Sequence, residues 1–212
     1  MRSVPQPPQQ ARSRQTVERL LAATTRVIEE NGLAGVSAPL IAAAAGLSIG
    51  SIYRRFVDKD ALIRAAFLRL LEDSEAATQT SLPPDRFQGF SLDQALQALA
   101  RALVAQYDGR GRLLKALDLF LEVDADEAFK ARALDIVEAN MRRVASTLAP
   151  FRDQIAGKDP ERAITVALLS ASTLIEVHKL HTPLLWRRML PLDDEALARE
   201  AARTMAAHLA FS

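Results

Sequence analysis

Cysteine is absent from all 212 residues, which excludes disulfides and thiolate metal sites and suits a reducing compartment. Aromatic residues are scarce at 5%. Valine, isoleucine and threonine are thin beside alanine, leucine, arginine and glutamate, and no segment alternates with period two for long. Strands are therefore not expected, and the composition leans helical. No Gly-rich phosphate loop, nucleophile elbow or Ser/His/Asp grouping is evident, so neither an enzyme nor a cofactor is expected. The longest apolar stretch, Ile164 to Ile175, is interrupted by Thr165, Ser170, Ser172 and Thr173 and reads as too short and too polar to span a bilayer. "MRSVPQPPQQARSRQ" lacks the apolar centre of a secretory signal, so a soluble, cytoplasmic protein is expected. Of the three histidines, His178 and His181 lie near Glu176. With no cysteine and no further ligand cluster in the vicinity, the pair reads as helix-terminal rather than metal-binding. His208 reads as an interface or core histidine. Asp124-Ala-Asp126-Glu127 reads as the charged opening of a helix rather than a paired-carboxylate site.

What is present is ordinary in amount, with 49% hydrophobic and 25% charged residues, enough for one large or two modest domains. The charge is uneven. Residues 1–66 hold nine Lys/Arg against five Asp/Glu, a net +4; the rest hold eighteen against twenty-one, a net −3, giving +1 for the chain. A basic N-terminal quarter on a mildly acidic body suits a polyanion at one end.

Residues 1–12 are Pro- and Gln-rich and are expected to be a disordered arm. Arg2, Arg12 and Arg14 could reach a minor groove from it, or simply be solvated. From about Arg14 to Glu30, apolar residues fall at helical spacing until Asn31-Gly32 ends the helix. Ser37 can cap a second helix, with Pro39 tolerated in its first turn. Gly46 ends that helix, Leu47 plugs the turn, and Ser48 can cap a third. Asp58 and Asp60 suit the cap and first turn of a fourth. Three short helices with a three-residue Gly turn make a helix-turn-helix over residues 13–60. Beyond it, helices are expected near 59–80, 92–108, 111–122, 125–149, 160–181 and 194–210, making the fold all-α with a larger C-terminal helical domain over 61–212.

Advancing about 100° per residue, Ile49 and Phe56 join Ile52 on a compact apolar face. Gly50, Ser51 and Arg54 point the other way, with Tyr53 and Arg55 on the flanks. An exposed helical glycine costs about 1 kcal/mol, and its missing side chain lets another surface come close. Arginine forks onto guanine edges or phosphate, and free N–H groups at a helix start suit phosphate oxygens.

"NGLAGVSAPLIAAAAGLSIGSIYRRFVDKDALIRAAF" resembles the DNA-binding domain of the TetR family of bacterial transcriptional repressors. The resemblance rests on Gly35, Ser37, Ile41-Ala42, Ala45 to Ser48, Gly50, Tyr53, Phe56, Lys59 and Leu62, and covers about residues 14–67. It implies that Ser37 and Tyr53 contact phosphates and that Lys59 clamps another. It also implies that Ser51, Arg54 and Arg55 reach the major groove or its flanks, with Ser48 and Gly50 completing the DNA-binding set. Two residues depart from the pattern. Pro39 stands where a polar, often Arg-like, base-contacting residue is common, and Arg55 where an aromatic or His is usual.

The larger domain carries less chemistry. The helix around 160–181 is apolar on nearly every side between Ala163 and Val177. The last helix carries Leu197, Ala201, Thr204, Met205, His208 and Leu209 along one stripe. Either two such helices from each of two protomers close a four-helix interface, or they pack inside one subunit. The resemblance implies the former, a homodimer through the last two helices. It also implies a small-molecule effector pocket, for which the candidates are Phe87, Phe90, Leu103, Tyr107, Leu117, Phe120, Met141, Leu169 and Thr173, with Glu176 as a polar anchor. The expected function is a homodimeric repressor of a palindromic DNA operator, released by a hydrophobic effector. The alternative is an all-helical ligand-binding or protein-interaction module without DNA binding.

Overall fold

A computed structural model describes residues 9–181 and 183–210. Ten α-helices run along the described chain, and no strand occurs among the described residues. In order they are α1 (Gln9–Asn31), α2 (Ala38–Ala45), α3 (Ile49–Tyr53), α4 (Lys59–Ser81), α5 (Leu92–Ala105), α6 (Gly111–Val123), α7 (Glu127–Ser146), α8 (Pro160–Glu176), α9 (Leu184–Met189) and α10 (Asp194–Ala210). Short 3₁₀ segments at Leu33–Gly35 and Ala149–Gln154 and a π-helical turn at Val177–His181 complete it. The expected disordered arm falls partly outside the described residues, at 1–8. Its remainder is a correction, since α1 begins at Gln9, ahead of Arg14.

The chain divides into two compact units. The first comprises residues up to Asp73 together with Ala116–Ala133. Its interior is built from Leu20 and Ile28 of α1, Ile41 of α2, Ile52 of α3, and Leu62, Ile63 and Phe67 of α4, all essentially inaccessible. Phe67 packs on Phe120 with ring centroids 5.4 Å apart, and Phe120 on Phe129 at 5.7 Å. Beside these rings, Arg64 grips Asp124 with two parallel bonds, from Nε at 2.6 Å and from Nη2 at 2.7 Å. The Asp126 carboxylate accepts from the Phe129 amide at 2.9 Å and so opens α7.

The second unit comprises Ser74–Lys115 and Leu134–Ser212. Here α5, α8 and α10 pack on one another around Leu96, Leu99, Ile175 and Leu197, with Leu148 from beyond α7. A reciprocal cap starts α5: Ser91 Oγ accepts from the Gln94 amide at 3.2 Å, and Gln94 Oε1 from the Ser91 amide at 2.9 Å. Asp159 caps α8 through the Arg162 amide at 3.0 Å. The helical run Pro160–His181 is by length and composition long and apolar enough to cross a bilayer, which corrects the shorter span read from the sequence. Its Ala163, Ile164, Ala167, Leu168, Ala171 and Ile175 face is buried, the pattern of a core helix. The compact-unit boundary at Asp73 also differs from the division at residue 60 drawn from the motif, because α4 and the 116–133 segment share the first unit's core.

Candidate nucleic-acid interface

The helix-turn-helix geometry follows from a few local choices. Ser37 is extended and its Oγ accepts from the Leu40 amide at 3.4 Å, starting α2, with Pro39 in the first turn. Gly46 closes α2 in the left-handed region at φ 62°, a conformation that penalises a side chain. The carbonyls left open there are met by arginines of α1. Arg19 Nη2 donates to Ala45 O at 2.6 Å and Arg26 Nη2 to Ala44 O at 3.1 Å, cations placed at a helix C-terminus. These two charges hold the turn, so the basic excess of the head is not all available to a polyanion. Asp58 Oδ1 accepts from the Ala61 amide at 2.7 Å and caps α4, as the sequence pattern suggests.

On α3 and the turn that follows it, Gly50, Tyr53 and Arg54 are exposed, Arg55 and Phe56 are half-buried, and Ile52 is fully buried. Two corrections follow. Ser51 does not face outward: it is only 7% exposed. It lies about 100° from Ile52 on the helix, a boundary position rather than the opposite face, and packing takes it inward. Ile49 does not complete the apolar face: it is 43% exposed. Helical side chains lean toward the N-terminus, so the first residue of α3 projects past the start of the helix. The exposed sector therefore consists of two adjacent stripes, Ile49 with Tyr53 and Gly50 with Arg54.

Ser51 positions its neighbours. Its Oγ lies 3.0 Å from Ser48 Oγ and accepts from Arg54 Nη2 at 3.2 Å, while its carbonyl accepts from Arg55 Nη1 at 3.1 Å. Ser48 is exposed and makes no side-chain cap, contrary to the cap expected of it, because its hydroxyl is turned to Ser51. Arg55 Nε is buried without a hydrogen bond. Gly50 is the telling position. A Cβ placed there meets nothing nearer than Ser48 Oγ at 3.9 Å, and its backbone is not left-handed. Neither conformation nor internal packing asks for glycine. Lys59, half-buried at the start of α4, donates at 3.5 Å to the carbonyl of Val36, the residue before the cap Ser37, and lies 3.8 Å from Asp60.

The effector candidates do not gather in one place. Leu117 and Phe120 are buried in the first unit, and Phe87 and Leu103 in the second. Met141 packs partly buried on the second unit's core. Phe90, 40% exposed, Leu169, 65% exposed, and Thr173 lie at the surface, so as interior lining they are corrected. Burial first, then the charge of Glu176, pushes the Tyr107 hydroxyl up to about 12. The same unit holds buried polar atoms without partners at Asn140 Oδ1, Arg143 Nε and Ser172 Oγ, a pattern periodicity cannot reveal. Its two described depressions are lined by Lys158, Asp159, Arg162, Ala163 and Val166, and by His178, Lys179, Pro191, Leu192 and Asp194, none of them candidates. His178 Nε2 lies 3.2 Å from Leu192 O.

Residues 20–66 match the family model of bacterial regulatory proteins of the tetR family. No curated protein sequence matches the chain. Among solved structures, a Mesorhizobium loti protein assigned as a TetR-family transcriptional regulator is 21% identical, with a TM-score of 0.72 over 93% of this chain and 96% of its own. A TetR transcription regulator from Haloarcula marismortui is 23% identical, with a TM-score of 0.61 over 92% and 97%. The regulator FadR from Bacillus subtilis, solved in complex with stearoyl-CoA, is 15% identical, with a TM-score of 0.62 over 91% and 97%.

Proposed function

We propose that this chain, with its TetR-family helix-turn-helix head and the all-helical fold of TetR-family regulators, is a cytoplasmic homodimeric repressor of a palindromic operator, released by a hydrophobic small molecule. The observation that carries DNA binding is Gly50: an exposed helical glycine that the protein's own structure does not require, beside an arginine held by Ser51. Tyr53, Ser37 and Lys59 supply phosphate contacts, and Arg54 supplies a base or phosphate contact. Ser51 acts through Arg54.

The dimer is supported by α8. Opposite its buried face, Val166 and Leu169 are exposed, apolar side chains on the outer side of the helix. The stripe of α10, by contrast, is spent inside its own subunit, where Leu197, Ala201, Met205 and Leu209 are buried. The outer face of α8 therefore leads the proposed contact. A two-fold pair sets recognition helices about 34 Å apart, the spacing of successive major grooves. The effector reading is supported by Tyr107, Glu176 and the unpartnered polar atoms of the second unit, and the stearoyl-CoA complex of FadR is its precedent. An effector favouring a DNA-incompetent state lowers operator affinity by the factor that DNA lowers effector affinity.

One titration tests the reading. Full-length protein added to duplex selected from random pools is expected to bind at two chains per duplex. Its affinity should fall steeply with salt, and Arg54→Ala with Lys59→Ala should lower the slope by about one for each phosphate no longer neutralised. A folded double variant with undiminished affinity and slope favours the ligand-binding module instead. Repeating the titration with amphipathic ligands reads the coupling; none with any effect leaves a constitutive repressor.

A further inference from the structure

We propose that Ile49 is a base-specificity determinant: its side chain packs against the C5-methyl group of a thymine in each half-site. This rests on the DNA-binding reading above, and three observations on the head lead to it.

The first is exposure. Ile41, Ile52 and Ile63 of the same unit are inaccessible, whereas Ile49 is left 43% exposed. The second is position. Ile49 is the first residue of α3, and the N-terminal residues of a recognition helix contact base edges. It shares its stripe with exposed Tyr53, about 40° away, and the Gly50–Arg54 stripe lies alongside. The third is the gap. A Cβ on Gly50 would meet only an ordinary contact, Ser48 Oγ at 3.9 Å, so nothing within the protein requires glycine there. Whatever closes on that gap is brought against the adjacent Ile49.

Chemistry then selects the base. Isoleucine has no donor or acceptor, so amino groups and ring acceptors placed against it lose water without replacement. Of the four major-groove patterns, only thymine offers an apolar group. Arg54 retains the polar readout on the neighbouring stripe, so the two side chains read different groups.

The test replaces thymine by deoxyuridine, one position at a time, in duplex selected by the full-length protein, and measures affinity for wild type and Ile49→Ala. Removing one buried methyl is worth about 0.8 kcal/mol, or about fourfold. The wild type should weaken by about that factor at one thymine per half-site, and by roughly its square when both are replaced. Ile49→Ala, checked for folding by thermal melting, should be indifferent to the same change. Wild-type binding that is salt-dependent yet insensitive to uracil everywhere, or an equally sensitive Ile49→Ala, overturns the assignment and leaves the regulator reading intact. A selected half-site without thymine does the same. No duplex binding at all overturns both.

Discussion

Gly50 and Ser51 are adjacent in the chain and opposite in use. The glycine leaves room outside the protein, while the serine holds two arginines from within. Gly50→Ala separates stability from binding. The new methyl meets only an ordinary contact at 3.9 Å, and alanine is the better helix former by about 1 kcal/mol. The variant should therefore melt at higher temperature and yet bind duplex more weakly, read by thermal unfolding and fluorescence anisotropy. A variant that lost stability would instead assign Gly50 a structural role. The exposure of Gly50 was legible in the sequence, from its place opposite Ile52 on the helical wheel. Ser51 and Ile49 were not legible. One sits on the boundary of the helical wheel, where neighbours decide, and the other at a helix start, where the wheel has no covering turn.

At the level of elements, α4 is fixed within the first unit by Arg64 and Asp124. The Asp124 carboxyl is held below its ordinary range, first by the Arg64 hydrogen bonds and against the pull of burial. The folded state thus favours the ionised form. The stability this contributes is complete above about pH 5, where the unfolded carboxyl is almost fully ionised, and is lost as pH falls through the lower folded value. Asp124→Asn should cost about 3 kcal/mol at pH 7, the low end for breaking a buried pair, since the Arg64 side chain keeps 23% exposure. Urea unfolding at pH 7 and again near pH 2 checks it: the gap between variant and wild type should narrow in acid. Helix positions beyond the motif were largely readable from apolar spacing and Pro/Gly breaks, as was the Asp126 opening of α7. The partner of Asp124 was not, because sixty residues separate the two and a local pattern carries no such pairing. The short α9 and the 3₁₀ segments were missed for a related reason, having too few residues to show a period.

For the whole molecule, the chain passes between its two units inside α4, α6 and α7 rather than in loops. The motif matched by the family ends at residue 66, but the unit that holds it borrows Ala116–Ala133. A fragment of residues 1–73 should therefore show far less helix and no cooperative melt by circular dichroism, while the full chain shows both, because Phe67 is stripped of the rings of Phe120 and Phe129. A cooperative melt from the fragment would make the borrowed segment dispensable. The same continuity constrains how this chain can be recombined. A hybrid that joined the first unit to a foreign second unit would need three splices, each made within an unbroken helix and in rotational phase, so a single crossover after the motif yields a misfolded chimaera.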